Sequence, residues 1–139
     1  MPRHQLIRAE GLSEPISHYS DAVLAGDTIY VSGQASLDRD GKLVGAGDVV
    51  AQTRQVLENM KLALAAAGAT LDDVVKVTVY LAHCADRPRV NEVRQAYFGA
   101  NRPASTLIGI SEFAIPGMLV EVDAVAVVGP ARERAPAAP

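Results

Sequence analysis

Three stretches of this chain are apolar toward both sides of an extended strand: AVLA at 22–25, VVKVTVYL at 74–81 and MLVEVDAVAVV at 118–128. Strands of this kind belong to a sheet buried on both faces. The rest of the chain offers only two helical segments, which cover one face. The second face must therefore be buried against something else, and another copy of the same chain is the expected partner.

The helical segments are set apart by a change of period. In DVVAQTRQVLENMKLALAAA, residues 48–67, Val49, Thr53, Val56, Met60, Leu64 and Ala67 recur in steps of three and four, the spacing of one helix face. Asp48 is placed to cap the start and Gly68 to end it. DRPRVNEVRQAYFGA, residues 86–100, repeats the pattern with Asp86 as the expected cap, Pro88 in the first turn, a stripe of Val90, Val93 and Tyr97, and Gly99 at the close. In strand 74–82, strict alternation puts Val75, Val77, Val79 and Leu81 on one face. HQLIR (4–8) reads as a short strand. Gly26-Asp27 and Asp40-Gly41 mark hairpin turns. Strands at 104–111 and 118–128 close a single domain over residues 1–128. The Pro/Ala-rich tail, 129–139, is expected to be disordered. The predicted fold class is α+β, with two helices packed on one face of a mixed six-stranded sheet.

Composition removes several functions. With 139 residues, a net charge of −3 and no two adjacent basic residues before the tail, the chain lacks the footprint expected of a nucleic-acid binder. A single cysteine, Cys84, precludes an intramolecular disulfide. The opening MPRHQLIRAEG has no apolar targeting segment and no run approaches a membrane span, so a cytoplasmic protein without membrane partners is expected. His4, His18 and His83 lack ligand spacing, and no metal site is expected. Phosphate-binding, dinucleotide-binding and serine-hydrolase motifs are absent.

Glu121 is the most informative residue. It lies within LVEVDAV and shares a strand face with Leu119, Asp123 and Val125. Two readings fit: a partly exposed sheet edge or subunit rim, or a carboxylate facing a pocket where it holds a water or moves a proton. SHYSD, residues 17–21, suits either ordinary turn chemistry or a ligand loop, and turn chemistry is the simpler account. Ser105 and Thr106 place two hydroxyls at the mouth of the apolar strand NRPASTLIGIS, residues 101–111.

SHYSDAVLAGDTIYVSGQ, GDVVAQTRQVLENMKLALAAAGATLDDVVKVTVYL, VNEVRQAYF, and RPAST with LVEVDAVAV together resemble the RidA family, also called YjgF, over residues 15–128. The resemblance implies a chorismate-mutase-like fold, a homotrimer with ligand clefts between neighbours, and cofactor-free hydrolysis of small reactive enamines and imines to 2-oxo acids and ammonia. It implies that Glu121 activates the water, that Tyr19 lines the cleft, and that Ser32, Gly33 and Asn91 lie beside the ligand. One departure stands out. Relatives carry Pro-Ala-Arg and then Ser or Thr, the Arg gripping a substrate carboxylate. Here Ser105 takes the Arg position and Thr106 follows. A hydroxyl cannot replace a bidentate, charge-assisted pair, so altered specificity and weak activity on 2-iminopropanoate are expected. Arg102, at an odd offset on an extended strand, is expected on the opposite face from Ser105. A non-catalytic metabolite-binding protein using the same cleft is the alternative.

Overall fold

The computed structural model describes residues 3–129; nearly all of the tail expected to be disordered, from residue 130 onward, lies outside them. Six strands and two helices follow in the order β1 (His4–Ile7), β2 (Ala22–Ala25), β3 (Thr28–Gln34), α1 (Val49–Ala66), β4 (Val74–Leu81), α2 (Arg87–Phe98), β5 (Ala104–Gly109) and β6 (Val120–Val127). They form one sheet in the order β1-β2-β3-β6-β4-β5. Only the β4–β5 pair is parallel, joined through α2; every other neighbouring pair is antiparallel. This is the mixed six-stranded α+β architecture expected from the sequence. β6, last in the chain, is inserted between β3 and β4 at the centre.

α1 begins where predicted. Asp48 has extended backbone, and its side chain accepts hydrogen bonds from the amides of Val50 and Ala51, both 3.0 Å. Such a cap contributes about 1 kcal/mol. Beyond the other end, Gly68 takes φ +85°, a left-handed conformation open to glycine. Val56, Leu57, Met60 and Leu64 of α1 are fully buried, as are Ile29 of β3, Val79 and Leu81 of β4 and Val120 of β6. The core thus lies between the helices and one sheet face, and the β-branched residues supply its sheet side.

Three local expectations need correction. Val75 does not join Val77 and Val79: it is 47% exposed while Val74 is buried. The ladder slips between Val74 and Lys76, where two steps on β4 match one on β6. This β-bulge breaks the strict alternation that the sequence suggests. Asp86 does not cap α2 with its side chain; it closes a short 3₁₀ turn, Cys84–Asp86, and pairs with Arg89. The Asp40-Gly41 segment makes a turn held by a single Leu37–Leu43 bridge and by Asp38, not a full hairpin.

The sheet face away from the helices has no cover among the described residues. Tyr30, Ile108 and Val127 stand there 53%, 42% and 46% exposed. No helix among the described residues is long and apolar enough to cross a membrane.

Candidate functional site

β6 is flanked on both sides, so the positions of its side chains are fixed by two ladders. Its residues alternate strictly: Val120, Val122, Ala124 and Ala126 are buried toward the helices, and Glu121, Asp123 and Val125 point to the open face, half-buried. Both carboxylates thus occupy the face the sequence assigns them. Asp123 accepts a hydrogen bond from the Tyr80 hydroxyl at 2.9 Å. That bond, then burial, raises the phenol above its ordinary pKa. Glu121 has no hydrogen bond or ion pair with any described residue. Burial, and secondarily the charge of Asp123, raise its carboxyl above the usual range.

Beside Glu121, β3 bulges. Three steps from Val31 to Gln34 face two on β6, from Ala124 to Val122, so Ser32 and Gly33 together face Asp123. The bulge brings the β3 backbone close to the glutamate. A Cβ at Gly33 would lie 2.4 Å from Glu121 Oε2. Gly33 has no positive φ, so its backbone angles do not demand glycine; what its lack of a side chain leaves room for is the Glu121 carboxylate in its present position.

Glu121, Tyr19, Ser32, Gly33, Gln34 and Asn59 border a cavity of about 340 Å³. Ser32 Oγ donates to the Ser20 carbonyl at 2.6 Å, fastening the 17–21 loop to β3. Asp21, in the same loop, is buried and accepts from Arg8 at 2.6 Å and from the Ala9 amide at 2.8 Å. The Ser20 carbonyl and the Asp21 side chain fix the loop, and it presents Tyr19 to the cavity. His18 does not line it.

Two residues that sequence reasoning missed support this wall. Gln52, fully buried, donates to the carbonyls of Gly45 and Gly117 and accepts from the Leu119 amide, tying α1 to the segment leading into β6. Asn59 donates to the carbonyls of Ala35 and Leu37 and holds the loop after β3. The signal was present: two amides seven residues apart, beside the apolar stripe of α1.

The other expected site residues lie elsewhere in the chain. Ser105 is in register with Val77, on the helix side, whereas Thr106 pairs with Thr78 on the open face and accepts from Lys76 Nζ at 3.2 Å. Ser105 instead receives a hydrogen bond from Arg94 Nη2 at 2.9 Å, and Asn91 receives one from Arg94 Nη1 at 3.4 Å. Arg102 precedes β5 and lines the same cavity as Arg94. Arg102 lies outside β5, so strand alternation does not place its side chain relative to Ser105. No cluster of three or more potential metal ligands occurs among the described residues.

The mixed sheet, with two helices on one face and the Glu121 carboxylate beside a bulge-lined cavity, defines an α+β protein with a candidate site at that cavity, and the comparisons with known proteins specify the family. The chain belongs to the RidA/YjgF family: residues 11–128 match the family described as Endoribonuclease L-PSP. It is 42% identical over 123 residues to a RutC family protein of Pyrococcus horikoshii, covering 88% of this chain and 96% of that one. It is 41% identical over 116 residues to the human 2-iminobutanoate/2-iminopropanoate deaminase, covering 83% of each. The crystal structure of RidA from the Antarctic bacterium Psychrobacter superposes with a TM-score of 0.84 at 33% identity, covering 89% of this chain and 99% of that one.

Proposed function

We propose that this chain hydrolyses small enamine- or imine-type metabolites without a cofactor, with Glu121 as the group that activates water. The observation that carries the reading is the half-buried Glu121 carboxylate, free of internal partners and facing a cavity of about 340 Å³, in a chain 41% identical to a named imine deaminase. Its raised pKa brings the base nearer the working pH, which improves general base catalysis. A water held by Glu121 adds to the imine carbon. Its oxygen forms the new C–O bond, its proton passes to the carboxylate, and the C=N electron pair moves to nitrogen. Glu121 then returns the proton to nitrogen. The carbinolamine hydroxyl then gives its proton to Glu121, which passes it to nitrogen; as the oxygen lone pair forms the C=O bond the C–N bond breaks, ammonia leaves and a carbonyl remains.

Copies of the chain associate through the open sheet face as a homotrimer, the assembly the family resemblance implies. In that arrangement the ligand cleft forms between neighbours. Two features support this: the exposed apolar side chains of that face, and the separation of Tyr19, Ser32, Gly33 and Glu121, which border one cavity, from Asn91, which borders another with no lining residue in common. Specificity differs from that of relatives because β5 presents Ser105 where they present an arginine. RNA cleavage, which the family's description suggests, is not the reading adopted: the Glu121 cavity has no basic side chain among its lining residues to meet phosphate.

The test is hydrolysis of imines generated in situ by an amino-acid oxidase, followed as 2-oxo acid release above the uncatalysed rate. Glu121→Gln should lower turnover by roughly 10²–10⁴-fold. Ligand binding with no turnover in the wild type would instead establish the non-catalytic alternative.

A further inference from the structure

A second cavity, of about 280 Å³, lies where α2 meets the turn leading into β5, and its walls include Asn91, Arg94, Asn101 and Arg102. Its charge is one-sided: two guanidinium groups border it, and none of its lining residues is acidic. Asn101 is already engaged, donating to the carbonyls of Leu71 and Val74 at 2.9 and 3.0 Å. The arginines are not. Arg94 makes only the bonds to Ser105 Oγ (2.9 Å) and Asn91 Oδ1 (3.4 Å), and Arg102 makes no hydrogen bond or ion pair with any described residue. A guanidinium carries five N–H donors, so most of the hydrogen-bonding capacity of Arg94 is free.

Arg94 is also partly desolvated. Burial pulls its pKa below the ordinary value, with no acidic neighbour working the other way. A half-buried cation without a counter-charge is costly to maintain. It gains most from an anion that accepts two parallel hydrogen bonds. Ser105 has a clear role here: its hydroxyl accepts from one guanidinium nitrogen and fixes the fork, with Asn91 at the other nitrogen.

We propose that Arg94, held by Ser105 and Asn91 and flanked by Arg102, binds the carboxylate of this protein's small-molecule ligand. The cation that β5 lacks is supplied from α2 and reaches the strand from the helix side. Specificity is altered in consequence: the carboxylate is gripped from a different direction, so it is met but not in the place a strand-borne arginine would hold it. The participation of this carboxylate in turnover rests on the hydrolase reading above; the carboxylate site itself does not.

The experiment is calorimetric titration with pyruvate, a stable 2-oxo acid, and with pyruvamide, its uncharged counterpart. The wild type should bind pyruvate at least about tenfold more tightly than pyruvamide, the scale of a charge-assisted pair. Arg94→Met should remove that preference, Arg94→Lys should restore part of it, and Ser105→Ala should reduce it by less than Arg94→Met does. A melting curve for Arg94→Lys controls for folding. The proposal is overturned by a wild type with no preference for pyruvate, by Arg94→Met binding pyruvate as the wild type does, or by inorganic phosphate competing as effectively as pyruvate. The two readings fail separately. Arg94-dependent binding without imine turnover removes the hydrolase and leaves the carboxylate site. Glu121-dependent turnover of a carboxylate-bearing imine, with kcat/KM unchanged in Arg94→Met, removes the site and leaves the hydrolase.

Discussion

Replacing Gly33 with alanine separates the position of the proposed base from the stability of the fold. The added Cβ would lie 2.4 Å from Glu121 Oε2, 2.8 Å from Cδ and 3.3 Å from Cγ. Ordinary contacts begin near about 3.5 Å, so the carboxylate must retreat by roughly 1 Å. The side chain is flexible and half-exposed, and it moves more readily than the two-sided ladder around it. Gly33 is outside the left-handed region, so alanine fits the backbone and restricts the unfolded chain, a gain of about 0.4–1 kcal/mol. Misplacing a catalytic group by about 1 Å can cost on the order of 10²-fold in rate. Gly33→Ala should therefore melt at the wild-type temperature or slightly above while kcat/KM for imine hydrolysis falls about a hundredfold. Steady-state 2-oxo acid release and a thermal melt on the same preparation measure both. Wild-type kcat/KM in this variant would show that Glu121 does not act from the position described.

Glu121→Gln should be more stable than the wild type at neutral pH. The folded carboxyl holds its proton more tightly than the unfolded one, so the stability it contributes is fully present below the unfolded pKa and is lost as pH rises through the raised folded value. The Tm advantage of the variant should vanish in acid; an advantage that is constant with pH would refute the assignment. Gln52→Ala should lose on the order of 3 kcal/mol in urea unfolding, because the Leu119 amide and the Gly45 and Gly117 carbonyls lose their partner together; a loss below about 1 kcal/mol would mean the tie is dispensable. If the site is shared between copies, unfolding and co-refolding Glu121→Gln with Arg94→Met should regenerate about a quarter of the wild-type sites by random pairing in a cyclic oligomer. Activity no higher than that of either variant alone would place both groups in one chain's site.

The parts legible in the sequence are those set by local spacing. The step of three and four gave α1, Asp48 gave its cap, and the alternation of β6 put Glu121 and Asp123 on the correct face. The shortage of helices revealed the open sheet face. What remained hidden depends on how distant segments align. The bulges at Val75 and at Ser32-Gly33 arise from pairing with β6, which lies some fifty to ninety residues further along the chain. Asp86 has the composition of a cap, but the preceding 3₁₀ turn gives it helical backbone and its carboxylate goes to Arg89. Ser105 and Thr106 are adjacent on a strand and so face opposite ways, a separation that alternation alone implied. Arg94 escaped notice because its partner, Ser105, lies on a different element eleven residues later.

The sheet order also bears on how such a protein diversifies. Glu121 stands on β6, paired on both sides at the middle of the sheet, whereas Ser105 stands on β5 at its rim, where most residues are exposed. Exchanges on β5 disturb little packing and rarely threaten folding. Those on β6 act on two ladders and the core at once. Under the proposed function, the base stands on a strand held from both sides, while the position that departs from the relatives' arginine stands on an edge strand. A lineage built on this plan could exchange ligand-facing residues at the rim while the proposed reactive centre stays in place.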